Sequence, residues 1–340
     1  MTLVTPGPRP PRERPMLFSG AMVRALLAGT KTQTRRIVKQ REGADLSWAT
    51  EASMGWCSPR PEDPRCPREF GALFFNAETL ADLLVPCPYG VRGDRLRVKE
   101  TWGVTARWPM SFQRRHIEDR MPWVSGEMAY RADAPVGNWC WRSSMLMPLC
   151  YSRITLEITD VRVQRLQEIS EEDAKAEGVT AELLYEMLQP LAARAKPKPL
   201  HWIDGEDDGD DYCLECCKAA VAKLHKAGNV EASVGGGYGS EEDGSRVCHG
   251  CGALLEFTLT SYGAQSELDH YAGHGIDADP DSAYCALAMV ESGACNDKLA
   301  RVGYRFLWDS INGKKAPWSS NLWVWCLTFR RVVLDGREIA

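Results

Sequence analysis

Two pairs of cysteines with C-x-x-C spacing constrain the fold of this chain more than any other feature. Cys213 and Cys216 form the first pair, and Cys248 and Cys251 form the second. Such pairs place four thiolates around one tetrahedral metal ion, with Zn–S bonds of about 2.3 Å. The 31 residues between the pairs exceed the usual interval of about 15–20. We interpret the intervening VGGGYGSEEDGSR as an excursion from a zinc-ribbon-like module.

The four thiolates predict a structural Zn²⁺ ion, because they leave no coordination position for a substrate. Cys217 is adjacent and is an alternative ligand, and His225 and His249 are weaker candidates. The other interpretation is a set of reduced thiols that hold no metal.

The charge is distributed unevenly along the chain. The net charge is -5, but residues 1–120 hold 20 Lys and Arg against 13 Asp and Glu, whereas residues 201–300 hold 5 against 19. This asymmetry predicts two modules. The basic module is suited to a polyanion, and the acidic module is suited to docking a protein partner.

We expect neither a membrane span nor a signal peptide from this sequence. It has no apolar run of about 18 residues, so no membrane span is expected. Its first residues, MTLVTPGPRPPRERP, contain no apolar signal-peptide core. We therefore expect a cytoplasmic protein.

Hydrophobic periodicity indicates where the regular elements lie. Residues 16–28 predict an amphipathic helix that ends at Gly29, and RLRVK at 95–99 predicts a half-buried strand. A helix is also predicted at 77–84. NLWVWCLTFRRVV is apolar on both faces, which is typical of a buried strand.

These patterns predict an α+β fold with an interrupted core. We expect a disordered lead-in at 1–14, one discontinuous core domain at 15–195 and 300–336, and an inserted acidic, Cys-rich zinc-binding module at 200–298.

The segment LLAGTKTQTRR at 26–36 places basic and hydroxyl side chains directly after a helix end. In a fully extended strand Lys31 and Thr34 would face opposite ways, so they can cooperate only across a loop or bulge. This motif, G-x-K-x-x-[ET]-x-R, resembles the signature of the ASCH domain, a member of the PUA-like small β-barrels. GDRLRV at 93–98, WR-x-S at 141–144, LWDSING at 307–313 and the terminal W-V-W-x-L-x-F strand are similar to the long phage-borne version of this domain.

The resemblance implies a small PUA-like β-barrel with flanking helices, in the cytoplasm of a bacterium that hosts a phage or prophage. It also implies recognition of RNA, DNA or a modified nucleoside in a basic cleft. The residues we expect to bind this ligand are Arg35, Arg36, Arg95, Arg97, Arg142 and Ser144.

An enzymatic activity is the alternative. Small bacterial N4-acetylcytidine amidohydrolases carry G-x-K-T-x-T-x-R, and this chain reads G-T-K-T-Q-T-R-R. The match implies that Lys31, Thr34 and Glu177 are catalytic, with a threonine nucleophile assisted by the lysine and the glutamate. A third possibility is an adaptor that binds proteins through the acidic module.

Overall fold

The computed structural model describes residues 11–39, 46–57, 69–80, 82–105, 128–133, 137, 139–204, 211–229, 231–236, 240–242 and 247–332. The structure is mixed α+β and divides into two compact units. Unit 1 comprises Met1–Ile169, Ala176–Gly178 and Ser319–Ala340, and unit 2 comprises Ser170–Lys175 and Val179–Trp318. None of the described helices is long and apolar enough to cross a membrane.

The strands in chain order are β1 (Glu13–Leu17), β2 (Gln33–Ile37), β3 (Glu51–Cys57), β4 (Glu69–Phe75), β5 (Asp82–Pro86), β6 (Arg95–Lys99), β7 (Trp102–Thr105), β8 (Met128–Tyr130), β9 (Trp139–Arg142), β10 (Thr155–Arg165), β11 (Leu200–Asp204), β12 (Tyr212–Cys213), β13 (Ser233–Gly236), β14 (Ser240–Glu242), β15 (Phe257–Leu259) and β16 (Trp323–Val332). The helices are α1 (Gly20–Ala28), α2 (Glu171–Ala176), α3 (Ala181–Ala192), α4 (Leu214–Lys226), α5 (Ser261–His274), α6 (Pro280–Glu291) and α7 (Ala300–Asn312).

Unit 1 is organised around a five-stranded sheet with the order β1-β6-β10-β16-β2. Strand β1 runs parallel to β6, and the other neighbours are antiparallel. One face is apolar and buried, because alternate residues of the central strands point to the same side. Its fully buried members include Leu96, Leu156, Ile158 and Leu327.

The sheet is open among the described strands, so the expected closed barrel is not what they form. Strand β1 pairs with β6 alone, and Pro15 has no N–H to donate, which is typical of an edge strand. The two edge strands are nevertheless close enough for a side-chain contact. Arg36 Nη2 of β2 donates to the Leu17 oxygen of β1 at 2.8 Å. The sheet therefore curls enough for one arginine side chain to connect its edges.

Among the strands that the structure describes, unit 1 also contains two smaller antiparallel sheets, with the orders β3-β4-β5 and β8-β7-β9. The helix predicted at 77–84 is wrong. Residues 77–79 form a turn, in which the Asn76 carboxamide accepts from the Glu78 and Thr79 N–H groups at 2.9 and 3.0 Å. Strand β5 then pairs with β4, so pairing with a neighbouring strand outweighs the local helical preference.

Unit 2 contains a helical core and a cysteine-rich core. Helices α3, α5, α6 and α7 share one apolar cluster that includes Leu188, Leu268, Met289 and Phe306. The other cluster surrounds α4 and β11 and includes Cys213, Cys248 and Leu255.

The units divide the chain at positions that differ from the expected domain limits. Helices α3 and α7 lie within 15–195 and 300–336, but they belong to unit 2 because their apolar faces pack with α5 and α6. Strand β16 is separated in sequence from β10 by the whole of unit 2, yet pairs with it over residues 155–165.

Candidate functional sites

The four cysteines of the two C-x-x-C pairs lie together. The sulfur atoms of Cys213, Cys216, Cys248 and Cys251 are all within 4.8 Å of one another. We call this group the four-cysteine cluster. Four sulfurs placed tetrahedrally at about 2.3 Å from an ion are about 3.8 Å apart, and the Cys213–Cys251 sulfur distance is 3.9 Å. The geometry therefore fits a tetrahedral metal ion such as zinc.

The two pairs have different local structures, and the first is unlike the hairpin of a zinc ribbon. Cys213 is the N-cap of α4, so Cys213 and Cys216 occupy the first turn of a helix. The partial positive charge at a helix N-terminus stabilises thiolates. The second pair lies in a turn in which the Gly252 N–H donates to the Cys248 oxygen at 2.7 Å. A Cβ added at Gly250 would lie 2.8 Å from Cys216 Sγ, so only glycine fits there.

Hydrogen bonds act in opposite directions on two thiols of the cluster. Those with the Cys213 and Cys248 side chains raise the pKa of the Cys216 thiol to about 12. Burial raises the pKa of the Cys248 thiol, but N–H groups such as that of Cys213, 3.2 Å from its sulfur, lower it to about 6. Lys198 Nζ lies 3.7 Å from Cys213 Sγ, and the charge of that sulfur raises the pKa of Lys198. Lys198 precedes the first pair by 15 residues, so no spacing rule identified it.

The alternative ligands point elsewhere. Cys217 Sγ donates to the Trp202 oxygen at 3.2 Å, and His225 Nε2 lies 2.7 Å from the Ala232 oxygen. The ring of His249 packs edge-on against Tyr212. None of them belongs to the metal-ligand group found among the described residues.

The second candidate site is a buried group of charged side chains in unit 1, formed by Lys31, Gln33, Arg35 and Glu177. We call it the Lys31 cluster. Lys31 Nζ donates to Glu177 Oε2 at 2.7 Å and to the Glu177 backbone oxygen at 2.7 Å. Arg35 Nη1 donates to Glu177 Oε1 at 3.3 Å and also to Gln33 Oε1. The Lys31, Arg35 and Glu177 side chains are only 1%, 0% and 4% exposed.

Local backbone structure brings these residues together. Gly29 ends α1 in the left-handed conformation, with φ of 78°. Lys31 then forms an isolated antiparallel bridge with Glu177, and the Thr32 N–H donates to the Ala176 oxygen at 2.8 Å. Gly178 has φ of 85°, and a Cβ there would lie 3.0 Å from the Lys31 Cβ. Glycine at this position therefore permits the close approach.

Burial is the largest influence on the pKa of Lys31. It lowers this pKa, Glu177 raises it, and Arg36 and Arg35 lower it further, so that it lies below its usual value of 10.5. The cluster therefore holds two cationic groups against one carboxylate in an environment that disfavours charge.

The structure does not bring Thr34 to this cluster. Thr34 pairs with Leu327 and is 4% exposed on the apolar face, whereas its neighbours Gln33 and Arg35 face the opposite side. Residues 31, 33 and 35 share one side. This alternation in the sequence is the signal that would have identified Gln33 and the role of Arg35.

The other predicted binding residues are distributed over unit 1. Arg36 lies 5.3 Å from the Phe18 ring centroid. Arg97 donates to the Leu149 and Ser152 oxygens at 3.0 and 3.2 Å, and Arg95 lies 3.9 Å from a Glu13 carboxylate oxygen.

The last two predicted binding residues lie near the small sheet β8-β7-β9. Arg142 lies 5.8 Å from the Trp102 ring centroid. Ser144 begins a short 3-10 turn, Ser144–Leu146, and is half-buried.

The polar face of the five-stranded sheet includes Arg35 of the Lys31 cluster. Cross-strand partners share a face, and Arg35, Cys326 and Arg162 form one row across β2, β16 and β10. The charged residues of this face are Glu13, Arg35, Arg95, Arg97, Lys99, Glu157, Asp160, Arg162 and Arg330. Six of them are basic and three are acidic. Arg35 is buried and paired with Glu177, so five basic residues remain against three acidic ones, and the face carries a net positive charge.

Sequence reasoning also missed an ion-pair network in unit 1. Arg153 bonds through two nitrogens to Glu100, at 3.0 and 3.1 Å, and through two to Asp133, at 2.7 and 2.9 Å. Its guanidinium lies 4.0 Å from the Tyr130 ring centroid. Arg153 thereby joins β8 to the end of β6, and these residues are too far apart in sequence for a local pattern to relate them.

Comparisons with known proteins give no relative. No protein-family model matches the chain, and neither a curated protein nor a solved structure matches it. The function must therefore be inferred from the geometry of these sites.

Proposed function

We propose that this chain recognises nucleic acid or a modified nucleoside through the polar face of its five-stranded sheet, as an ASCH-type member of the PUA-like superfamily. The observation that carries the proposal is the composition of this face, with five Arg or Lys residues besides the buried Arg35 against three Asp or Glu. Such a surface attracts phosphates and steers their association.

Two features support the ASCH assignment. The motif residues Gly29 and Lys31 end α1 and connect it to the edge strand β2. The sheet also curls until Arg36 spans its two edges, which is compatible with a small barrel-like domain.

The proposal is tested by fluorescence anisotropy with labelled RNA and DNA, single-stranded and duplex, over a series of salt concentrations. Arg330 is 68% exposed. Arg162 lies on the same face, opposite Cys326, four residues before Arg330 on β16. We expect Arg162→Ala and Arg330→Ala to weaken binding. Each lost phosphate contact should reduce the slope of log K against log salt by about 0.7–0.9.

Lys223→Ala is the matched control, because Lys223 is an exposed basic residue on α4 of unit 2. It should leave binding unchanged. The proposal fails if the wild-type chain binds neither nucleic acid nor any nucleoside of a modified panel at low salt. It also fails if Lys223→Ala weakens binding as much as the two arginine substitutions.

We propose that the four-cysteine cluster holds a structural Zn²⁺ ion. Elemental analysis of protein purified without chelator should give one zinc per chain, and Cys248→Ser should abolish it. Cys217→Ser is the matched control and should retain zinc, because the Cys217 thiol donates a hydrogen bond to the Trp202 oxygen instead of facing the cluster. Metal-free wild-type protein would contradict the assignment.

Amide hydrolysis is a second candidate function, and the contact between Lys31 Nζ and Glu177 Oε2 favours it. These are two of the three residues that the resemblance to amidohydrolases implies. Thr34 faces away from them, so the nucleophile would have to be a water molecule. Incubation with N4-acetylcytidine, followed by mass spectrometry, should show free cytidine. Glu177→Gln and Lys31→Met should both abolish its release, and Lys31→Met is the variant that we expect to leave unit 1 folded. If wild-type protein releases no cytidine, this candidate fails and the binding function remains.

A further inference from the structure

Two tryptophans share one face of the small sheet β8-β7-β9 in unit 1. Trp141 pairs with Gly103, and Trp139 lies two residues away on the same face. Their ring centroids are 6.3 Å apart with planes inclined at 43°, and both residues are half-buried. A Cβ at Gly103 would lie 2.9 Å from the Trp141 ring and 3.3 Å from the Trp139 Cβ. The glycine thus lets the two indoles lie close to the strand.

A cation lies beside this tryptophan pair. The Arg131 guanidinium lies 5.3 Å from the Trp141 ring centroid. Asp133 and Glu100 are both paired with Arg153, so the acidic groups of this ion-pair network are largely compensated. Arg131 is therefore the positive charge that an anionic ligand would meet at Trp141.

The rings of the tryptophan pair, rather than the Trp139 N–H group, are available to a ligand. Trp139 Nε1 is buried, and no residue in the described part of the chain accepts its N–H. A Cβ added at Gly137 would lie 2.8 Å from this nitrogen, so the chain itself covers it and the indole rings are left as the ligand-binding surface. Two aromatic rings beside a cation suit a planar base attached to phosphate.

We infer that Trp139 and Trp141 stack with an unpaired base of single-stranded nucleic acid. This inference rests on the proposed function and narrows it, because bases in a duplex are already stacked and cannot reach a protein ring. The ligand is a single strand whose base stacks on the indoles while Arg131 lies near its phosphate.

The test compares Trp141→Phe, which keeps an aromatic ring, with Trp141→Leu, which keeps apolar volume without one. Binding of a labelled oligonucleotide is measured for the single strand and for the same sequence as a duplex. The wild-type chain should prefer the single strand. Trp141→Leu should weaken its binding about tenfold or more, and Trp141→Phe should stay within a few-fold of wild type. The matched control is Trp202→Leu, because Trp202 is 44% exposed and lies in unit 2.

The outcomes separate the inference from the proposed function. The stacking inference would be overturned if Trp141→Leu and Trp141→Phe lose equal affinity, or if neither loses any. It would also be overturned if Trp202→Leu loses as much affinity as Trp141→Leu, or if the wild-type chain prefers the duplex. If binding still depends on Arg330 in those cases, recognition by the polar face stands. If the wild-type chain binds no nucleic acid at all, the proposed function fails first and the stacking inference fails with it.

Discussion

Removing the carboxylate of Glu177 should destabilise unit 1 far more than removing the amine of Lys31. Lys31, Arg35 and Glu177 side chains are at most 4% exposed, so Glu177→Gln would leave two buried cations without a counter-ion. Leaving a buried charge uncompensated costs about 3–5 kcal/mol. Lys31→Met instead leaves the neutral Arg35–Glu177 pair in place, and we expect it to cost less than about 1.5 kcal/mol.

Hydrogen exchange measured by mass spectrometry on the full chain reports on unit 1 separately from unit 2. Peptides covering β2 and β16 should exchange roughly two to four powers of ten faster in Glu177→Gln, if they open with the unit as a whole. Glu157→Gln is the matched control. Glu157 is 26% exposed and pairs with Arg330, and such surface pairs contribute about 0–1 kcal/mol.

The pH dependence gives a second check on the same cluster. The pKa of Lys31 lies below 10.5 in the folded chain. At pH values between this lowered pKa and 10.5, the unfolded state therefore binds more protons than the folded state does. The free energy of unfolding should therefore rise with pH through that window, and Lys31→Met should remove this contribution. Similar losses for Lys31→Met and Glu177→Gln, or a cost below about 1 kcal/mol for Glu177→Gln, would refute the buried-charge account.

Three further predictions concern other parts of the chain. Chelation of the metal, or Cys248→Ser, should speed hydrogen exchange at Leu255 while β16 stays protected, because the ion holds together the cysteine-rich core of unit 2; equal exchange with and without chelator would contradict this. Gly178→Ala should lower the stability of unit 1 by at least about 1–2 kcal/mol, because φ is 85° and the new Cβ would crowd Lys31; unchanged exchange at β2 would count against it. Burial raises the pKa of Glu100 above its usual 4.5, so the folded state binds more protons there than the unfolded state does. The free energy of unfolding should therefore fall as pH rises from 4.5 through the raised pKa. Urea unfolding of Glu100→Gln should lack this fall, and identical pH profiles for the variant and the wild type would disprove the reasoning.

The sequence determined the elements that depend on local patterns. The amphipathic stripe and Gly29 define α1, and alternating residues define β6. The C-x-x-C spacing identified all four members of the four-cysteine cluster, because each pair is a local unit that tolerates few geometries. The sequence also linked Lys31 to Glu177, although only through the resemblance to amidohydrolases.

The tertiary structure decided everything that depends on which distant segments pair. Strand register places Thr34 on the apolar face and Arg35 beside Glu177, and a shift of one residue would exchange them. Pairing with β4 makes a strand where residues 77–84 favoured a helix, and packing with α5 and α6 assigns α7 to unit 2. These outcomes depend on contacts between residues far apart in sequence. The free energies of such contacts exceed local helix and strand propensities, and neither segment alone shows a hydrophobic periodicity that would predict them.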